Sequence, residues 1–133
     1  MKTHAVIDTN VIISALISKK SDSATVLILD KMFDEEIIPL YNQTILKEYR
    51  EVMRRPRFHL SESDIDYVIT SIIEGGVEIE STPSDYVFVD RKDKVFYEVY
   101  LSVPDSYLIT GNLRHFPKED KIVNPAEMIK LLV

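Results

Sequence analysis

The stretch His4-Ala5-Val6-Ile7-Asp8 decides how the rest of the chain is read. It is a near-continuous apolar run ending in a carboxylate. A strand buried on both faces of a parallel sheet has that pattern, whereas a strand with one solvated face alternates. Asp8 is then expected at the carboxyl end of its strand, where open α/β sheets bind their ligands.

Working outward, Val11 to Ile17 reads as a helix, and Ala24 to Phe33 as another, with a cap in Ser21-Asp22-Ser23. Ile37-Ile38-Pro39-Leu40 reads as a short strand. Because Pro39 has no amide hydrogen for a ladder, it is expected near that strand's end. Ile45, Leu46, Tyr49, Val52 and Met53 follow helical spacing from Gln43 to about Arg54, and Pro56 closes that helix. The next helix is the most explicit. Ser61 with Asp64 opens it, Ile65, Val68, Ile69, Ile72 and Ile73 form its stripe, and Gly75-Gly76 ends it. Val77 to Glu80 alternates as an edge strand would. A loop over Ser81 to Asp90, a helix from about Lys92 to Ser102 and a strand Ser106 to Thr110 follow, then a Gly111-Asn112 turn and a short strand Lys121-Ile122-Val123. Asn124 caps a last helix with Pro125 at its first position, where a missing N–H costs nothing. This alternation predicts a three-layer α/β/α sandwich around a parallel sheet of about five strands.

With 133 residues, one domain over residues 1–133 is expected. The shares of hydrophobic (45%) and charged (29%) residues exclude the disordered and fibrous classes. No apolar run reaches the length of a membrane span, and MKTHAVIDTN lacks the features of a signal peptide, so a cytoplasmic location away from membranes is expected. The chain has no cysteine, which leaves oxygen or histidine as the only ligands for a metal. A formal net charge of -6 argues against a broad basic surface that grips nucleic acid through many phosphates, though not against a local basic patch.

The inward carboxylates carry the functional reading. About 100° per residue puts Glu48 beside Val52 at the border of its helix's apolar stripe, while Lys47 and Glu51 point away. The same construction puts Asp93 on the face of Phe96, Val99 and Tyr100, with Glu98 opposite. Three carboxylates against apolar surface are costly as bare anions, and a divalent cation removes that cost. Oxygen ligands select hard ions such as Mg²⁺ or Mn²⁺, which position phosphate and activate water. Each acid also has a plainer reading. Asp8 caps the following helix, Asp93 answers a helix dipole, and Glu48 is an exposed helical glutamate. Asp105 is expected at the far end of the sheet as a turn residue, and His4, His59 and His115, which lack metal-ligand spacing, as non-ligands.

Four ordered blocks over nearly the whole chain resemble the PIN-domain family, in particular its VapC-like ribonucleases. Val6-Ile7-Asp8-Thr9-Asn10-Val11 resembles the family's opening. Leu46-Lys47-Glu48-Tyr49-Arg50-Glu51-Val52 with Arg54-Arg55-Pro56-Arg57-Phe58 resembles its second motif. Asp90-Arg91-Lys92-Asp93-Lys94-Val95-Phe96-Tyr97-Glu98 and Tyr107-Leu108-Ile109-Thr110-Gly111-Asn112 resemble the third and fourth. The resemblance implies a sheet ordered 3-2-1-4-5 and a Mg²⁺- or Mn²⁺-dependent nuclease acting on RNA, frequently the toxin of a toxin–antitoxin pair. An antitoxin protein and a second copy of the chain are thus candidate partners. It further implies Asp8, Glu48 and Asp93 as catalytic metal-site acids, Asn10 and Thr110 as orienting residues, and Asp90 as an additional acid. Asn112 stands where many members have Asp, which removes one charge and one carboxylate from the metal shell.

Arg50, Arg54, Arg55, Arg57 and Arg114 are candidates for RNA contact, against the reading of a solvated basic face. The alternative function is a catalytically weak or inactive PIN-fold module that binds RNA or protein. A phosphatase resembling haloacid dehalogenases would need a second acid where Asn10 stands. No glycine-rich phosphate loop supports a P-loop enzyme.

Overall fold

The computed structural model describes residues 2–132. The strands are β1 (Thr3–Ile7), β2 (Ile37–Tyr41), β3 (Val77–Glu78), β4 (Tyr107–Ile109) and β5 (Ile122–Val123). Every pairing is parallel, and the order is β3-β2-β1-β4-β5. Ala5, Val6 and Ile7 are at most 1% exposed and all of β2 is buried, so helices cover both sheet faces, as the unbroken apolar runs require. The helices are α1 (Thr9–Ile17), α2 (Ala24–Phe33), α3 (Gln43–Met53), α4 (Glu62–Gly75), α5 (Arg91–Ser102) and α6 (Pro125–Leu132). The α/β/α sandwich and its 3-2-1-4-5 order are therefore as the sequence implied.

The caps follow local chemistry. Ser23 Oγ, Asn42 Oδ1 and Ser61 Oγ accept amide hydrogens of the first turns of α2, α3 and α4. At α6 the cap is reciprocal: Asn124 Oδ1 accepts from the Glu127 amide at 2.8 Å, and Glu127 Oε1 accepts from the Asn124 amide at 2.9 Å.

Several expectations need correction. Pro39 lies in the middle of β2, opposite Ala5 of β1. The alternation of a strand puts it on the same side as Tyr41, whose carbonyl accepts from Ile79 across the β3 edge, yet β3 begins pairing only at Leu40. The missing amide hydrogen thus falls where the ladder has not started. Gly76 has an extended backbone and is no left-handed helix stop. A Cβ there would lie 2.4 Å from the carbonyl oxygens of both Ile72 and Pro39, so close approach to β2 requires the glycine. Ile73 leaves the α4 stripe and is exposed. The edge strand stops at Glu78, and two short 3-10 turns, Pro56–Phe58 and Leu113–His115, are added to the expected elements.

The chain runs outward from β1 through β2 to β3, then returns to β1's other side for β4 and β5. Strand order therefore reverses between β1 and β4, and the crevice at their carboxyl ends is the expected ligand position.

Candidate active site

Asp8 follows β1 directly, with its amide donating to the Ile109 carbonyl of β4 at 2.9 Å. Although it occupies the N-cap position of α1, its side chain makes no capping bond. Instead Thr110 Oγ1, just past β4, donates to Asp8 Oδ2 at 2.7 Å, and the Asn112 amide donates to that same hydroxyl oxygen at 3.0 Å. Two strand ends flanking the switch point thus hold one carboxylate. Tyr49 of α3, fully buried, donates its hydroxyl to the Ile7 carbonyl and pins the residue before Asp8. The Gly111 amide meets Asn10 Oδ1 at 3.4 Å, which ties the start of α1 to the turn after β4.

Burial pushes the Asp8 carboxyl up to about 6, against the lowering bond from Thr110, and the negative charges of Asp93 and Glu48 raise it further. Asp93, in the first turn of α5, is 8% exposed. Its carboxyl is also raised, first by burial, then by Asp90, while His115 opposes the shift and Glu48 adds to it. A surface acid answering a helix dipole would be solvated, so the dipole alone does not account for Asp93. Glu48, half-buried on α3, accepts from Thr9 Oγ1 at 3.2 Å.

Asp8, Glu48 and Asp93 all line one cleft of about 400 Å³, and Asn10, Asp90 and Asn112 lie on its wall. Thr110 stands behind Asp8, fully buried. Asp90 is exposed, and its Oδ1 caps α5 by accepting from the Lys92 amide at 3.0 Å. Of the arginines singled out, Arg55 and Arg57 line the cleft. Arg54 instead pairs with Glu62 at 3.1 Å, Arg114 lies within the second 3-10 turn and outside the cleft lining, and Arg50 is also outside it. Glu51 is exposed, as the helix-face construction had it. Glu98 faces away from the cleft and accepts from the Ser84 amide at 2.6 Å, holding the loop before α5.

Several cleft residues escaped the sequence reading. His115, set aside for want of a second histidine at ligand spacing, has its Nδ1 3.2 Å from Asp93 Oδ2. Lys92 and Phe58 line the same cleft. Only the 3-10 turns carrying His115 and Phe58 swing those side chains toward it. Thr9 could have been found, because a hydroxyl directly after a site aspartate is well placed to bond a neighbouring acid.

The donor set is oxygen-rich and anionic, which fits a hard divalent ion, and the raised carboxyls are those such an ion would hold deprotonated. Among the described residues, however, no three His, Cys, Asp or Glu side chains are drawn close enough to form a finished metal shell. Each acid is instead held by its own partner: Thr110, Thr9 or His115.

No curated protein and no solved structure matches the chain significantly. PIN domains are generally nucleases that use divalent metals and bind nucleic acid. The family model of the PIN domain matches residues 4–114, from within β1 into the 3-10 turn after β4, and the chain belongs to the PIN-domain family.

Proposed function

We propose that the chain is a metal-dependent endoribonuclease that hydrolyses RNA phosphodiester bonds with Mg²⁺ or Mn²⁺, and that it serves as the toxin of a toxin–antitoxin pair. The observation that carries the catalytic reading is the meeting of Asp8, Glu48 and Asp93, from three separate elements, in one cleft at the switch point. The burial of Asp8 and Asp93 and the repulsion among the three acids give a cation an advantage there.

Asp8, Glu48 and Asp93 would hold the ion, with Asn112 supplying an amide carbonyl and Asp90 a further carboxylate. When bound, the ion supplies Lewis acidity and an activated water for attack on phosphorus. The chain's own residues prepare the site. Thr110 fixes the Asp8 rotamer, Thr9 steadies Glu48, Asn10 ties the start of α1 to the turn after β4, and His115 steadies Asp93. Arg55, Arg57 and Lys92 offset the acidic centre for an incoming phosphate.

Cleavage of labelled RNA by the wild-type chain with Mn²⁺, lost in chelator and in Asp8→Asn, is the expected result. Metal-independent cleavage, or none under any metal, would overturn it. Growth arrest on expression, relieved by Asp8→Asn, tests the toxin role. The separation of the three acids favours one alternative, a PIN-fold module that binds RNA or protein without efficient catalysis. Metal-independent RNA binding without cleavage would select it.

A further inference from the structure

Part of the cleft lining is apolar. Phe58, Val52, Ile13 and Ile17 line it, and Ile17 at the end of α1 is 48% exposed. Packing explains Ile13, which is buried, but Ile17 leaves apolar surface in the cleft that the core does not use. Phe58 ends the 3-10 turn opened by Pro56, and the Arg57 guanidinium lies 4.8 Å from the centroid of its ring. Arg55 lines the cleft on the same segment. An apolar aromatic wall, a guanidinium stacked on it and cations within reach of the acidic centre match the two halves of one nucleotide, a flat base and an anionic phosphate. The volume of about 400 Å³ lies within the range of about 300–1,000 Å³ typical of small-ligand pockets.

We propose that Phe58 and Ile17, with Arg57 stacked on the Phe58 ring, form a seat for one nucleobase beside the acidic centre. The nucleotide flanking the scissile phosphate is thereby held with its base turned out of its own stack. This rests on the nuclease reading for its substrate, and it makes Phe58 a positioning residue that selects strands able to release a base. Stacking accepts any base, so the seat sets how the strand lies more than which sequence it carries.

The chain contains no tryptophan, so Phe58→Trp introduces a single indole at the proposed seat, which can be excited apart from the tyrosines. The titrants are a single-stranded oligoadenylate and its abasic counterpart with the same number of phosphates, both in chelator so that cleavage does not intervene. Oligoadenylate should quench the indole and the abasic strand should not. By anisotropy, Phe58→Ala should weaken oligoadenylate binding by about 5- to 100-fold and leave abasic binding unchanged. Phe58→Tyr should bind as wild type does. Phe58→Leu keeps the apolar packing and should weaken with Phe58→Ala, which decides the matter if the alanine variant fails to fold. Equal loss for both strands, loss for neither, a silent indole or no oligoadenylate binding by wild type would overturn the seat. The nuclease reading is judged separately, by Mn²⁺-dependent cleavage in the wild-type chain.

Discussion

Replacing Asp8 with asparagine should stabilise the metal-free protein at neutral pH while destroying its function. Asp8 is 6% exposed, and burial lifts its carboxyl from 3.8 to about 6. A raised carboxyl contributes its stability fully below the unfolded value, near 4, and loses it as pH rises through the folded value, near 6. At about 1.36 kcal/mol per unit, a shift of about two units makes the ionised Asp8 a cost of about 3 kcal/mol above pH 7. Asparagine removes the charge and keeps an oxygen that can accept from Thr110 Oγ1, so little of the existing bond is lost. In chelator at about pH 7.5, Asp8→Asn should therefore gain about 2–3 kcal/mol, or roughly 10 °C in melting temperature for a chain of this size. At about pH 4 the gain should shrink to under about 1 kcal/mol, because Asp8 is then protonated in the folded wild type and partly protonated in the unfolded chain. Millimolar Mn²⁺ should raise the wild-type melting temperature, and the rise should shrink in the variant, which keeps an oxygen ligand at this position but loses its charge. Thermal unfolding followed by circular dichroism across this pH range measures all three effects. A variant no more stable than wild type at neutral pH, or a gain that persists unchanged at pH 4, would refute the reasoning from burial.

Glu48→Gln should abolish metal-dependent cleavage, whereas Glu51→Gln, on the exposed face of α3, and Glu98→Gln, whose amide oxygen can still accept from Ser84, should keep most of it; equal losses in a labelled-RNA assay would show that the faces are misassigned. Asn112→Asp should lower the Mn²⁺ concentration for half-maximal cleavage and reduce stability in chelator, because a further carboxylate adds both a ligand and repulsion; identical metal curves and melting temperatures would remove Asn112 from the metal shell. Thr110→Val should weaken Mn²⁺ binding by about 10- to 100-fold in a calorimetric titration by freeing the Asp8 carboxylate, while Thr110→Ser restores it; unchanged affinity in the valine variant would show that the hydroxyl only fills space.

The sequence by itself determined the strand that ends in Asp8, because continuous burial leaves a continuous apolar run. It determined the helix starts at Ser61 and Asn124 and a cap within Ser21-Asp22-Ser23, because capping is a contact across three residues. The inward faces of Glu48 and Asp93 were legible for the same reason: helical periodicity is local. The 3-2-1-4-5 order came through resemblance to the family, since no local pattern says which strands become neighbours. Only the tertiary structure decided the rest. It placed Pro39 inside β2, where the late start of β3 removes the penalty, and it gave Gly76 its role against β2 instead of at a helix stop. It separated Arg55 and Arg57, which line the cleft, from Arg54, which a neighbouring glutamate holds. It also brought His115 to Asp93 and Phe58 into the lining of the same cleft. Those placements depend on where short turns aim side chains and on partners 22 to more than 100 residues away, as in the bond from Thr110 to Asp8, and such distances leave no periodicity in the chain to read.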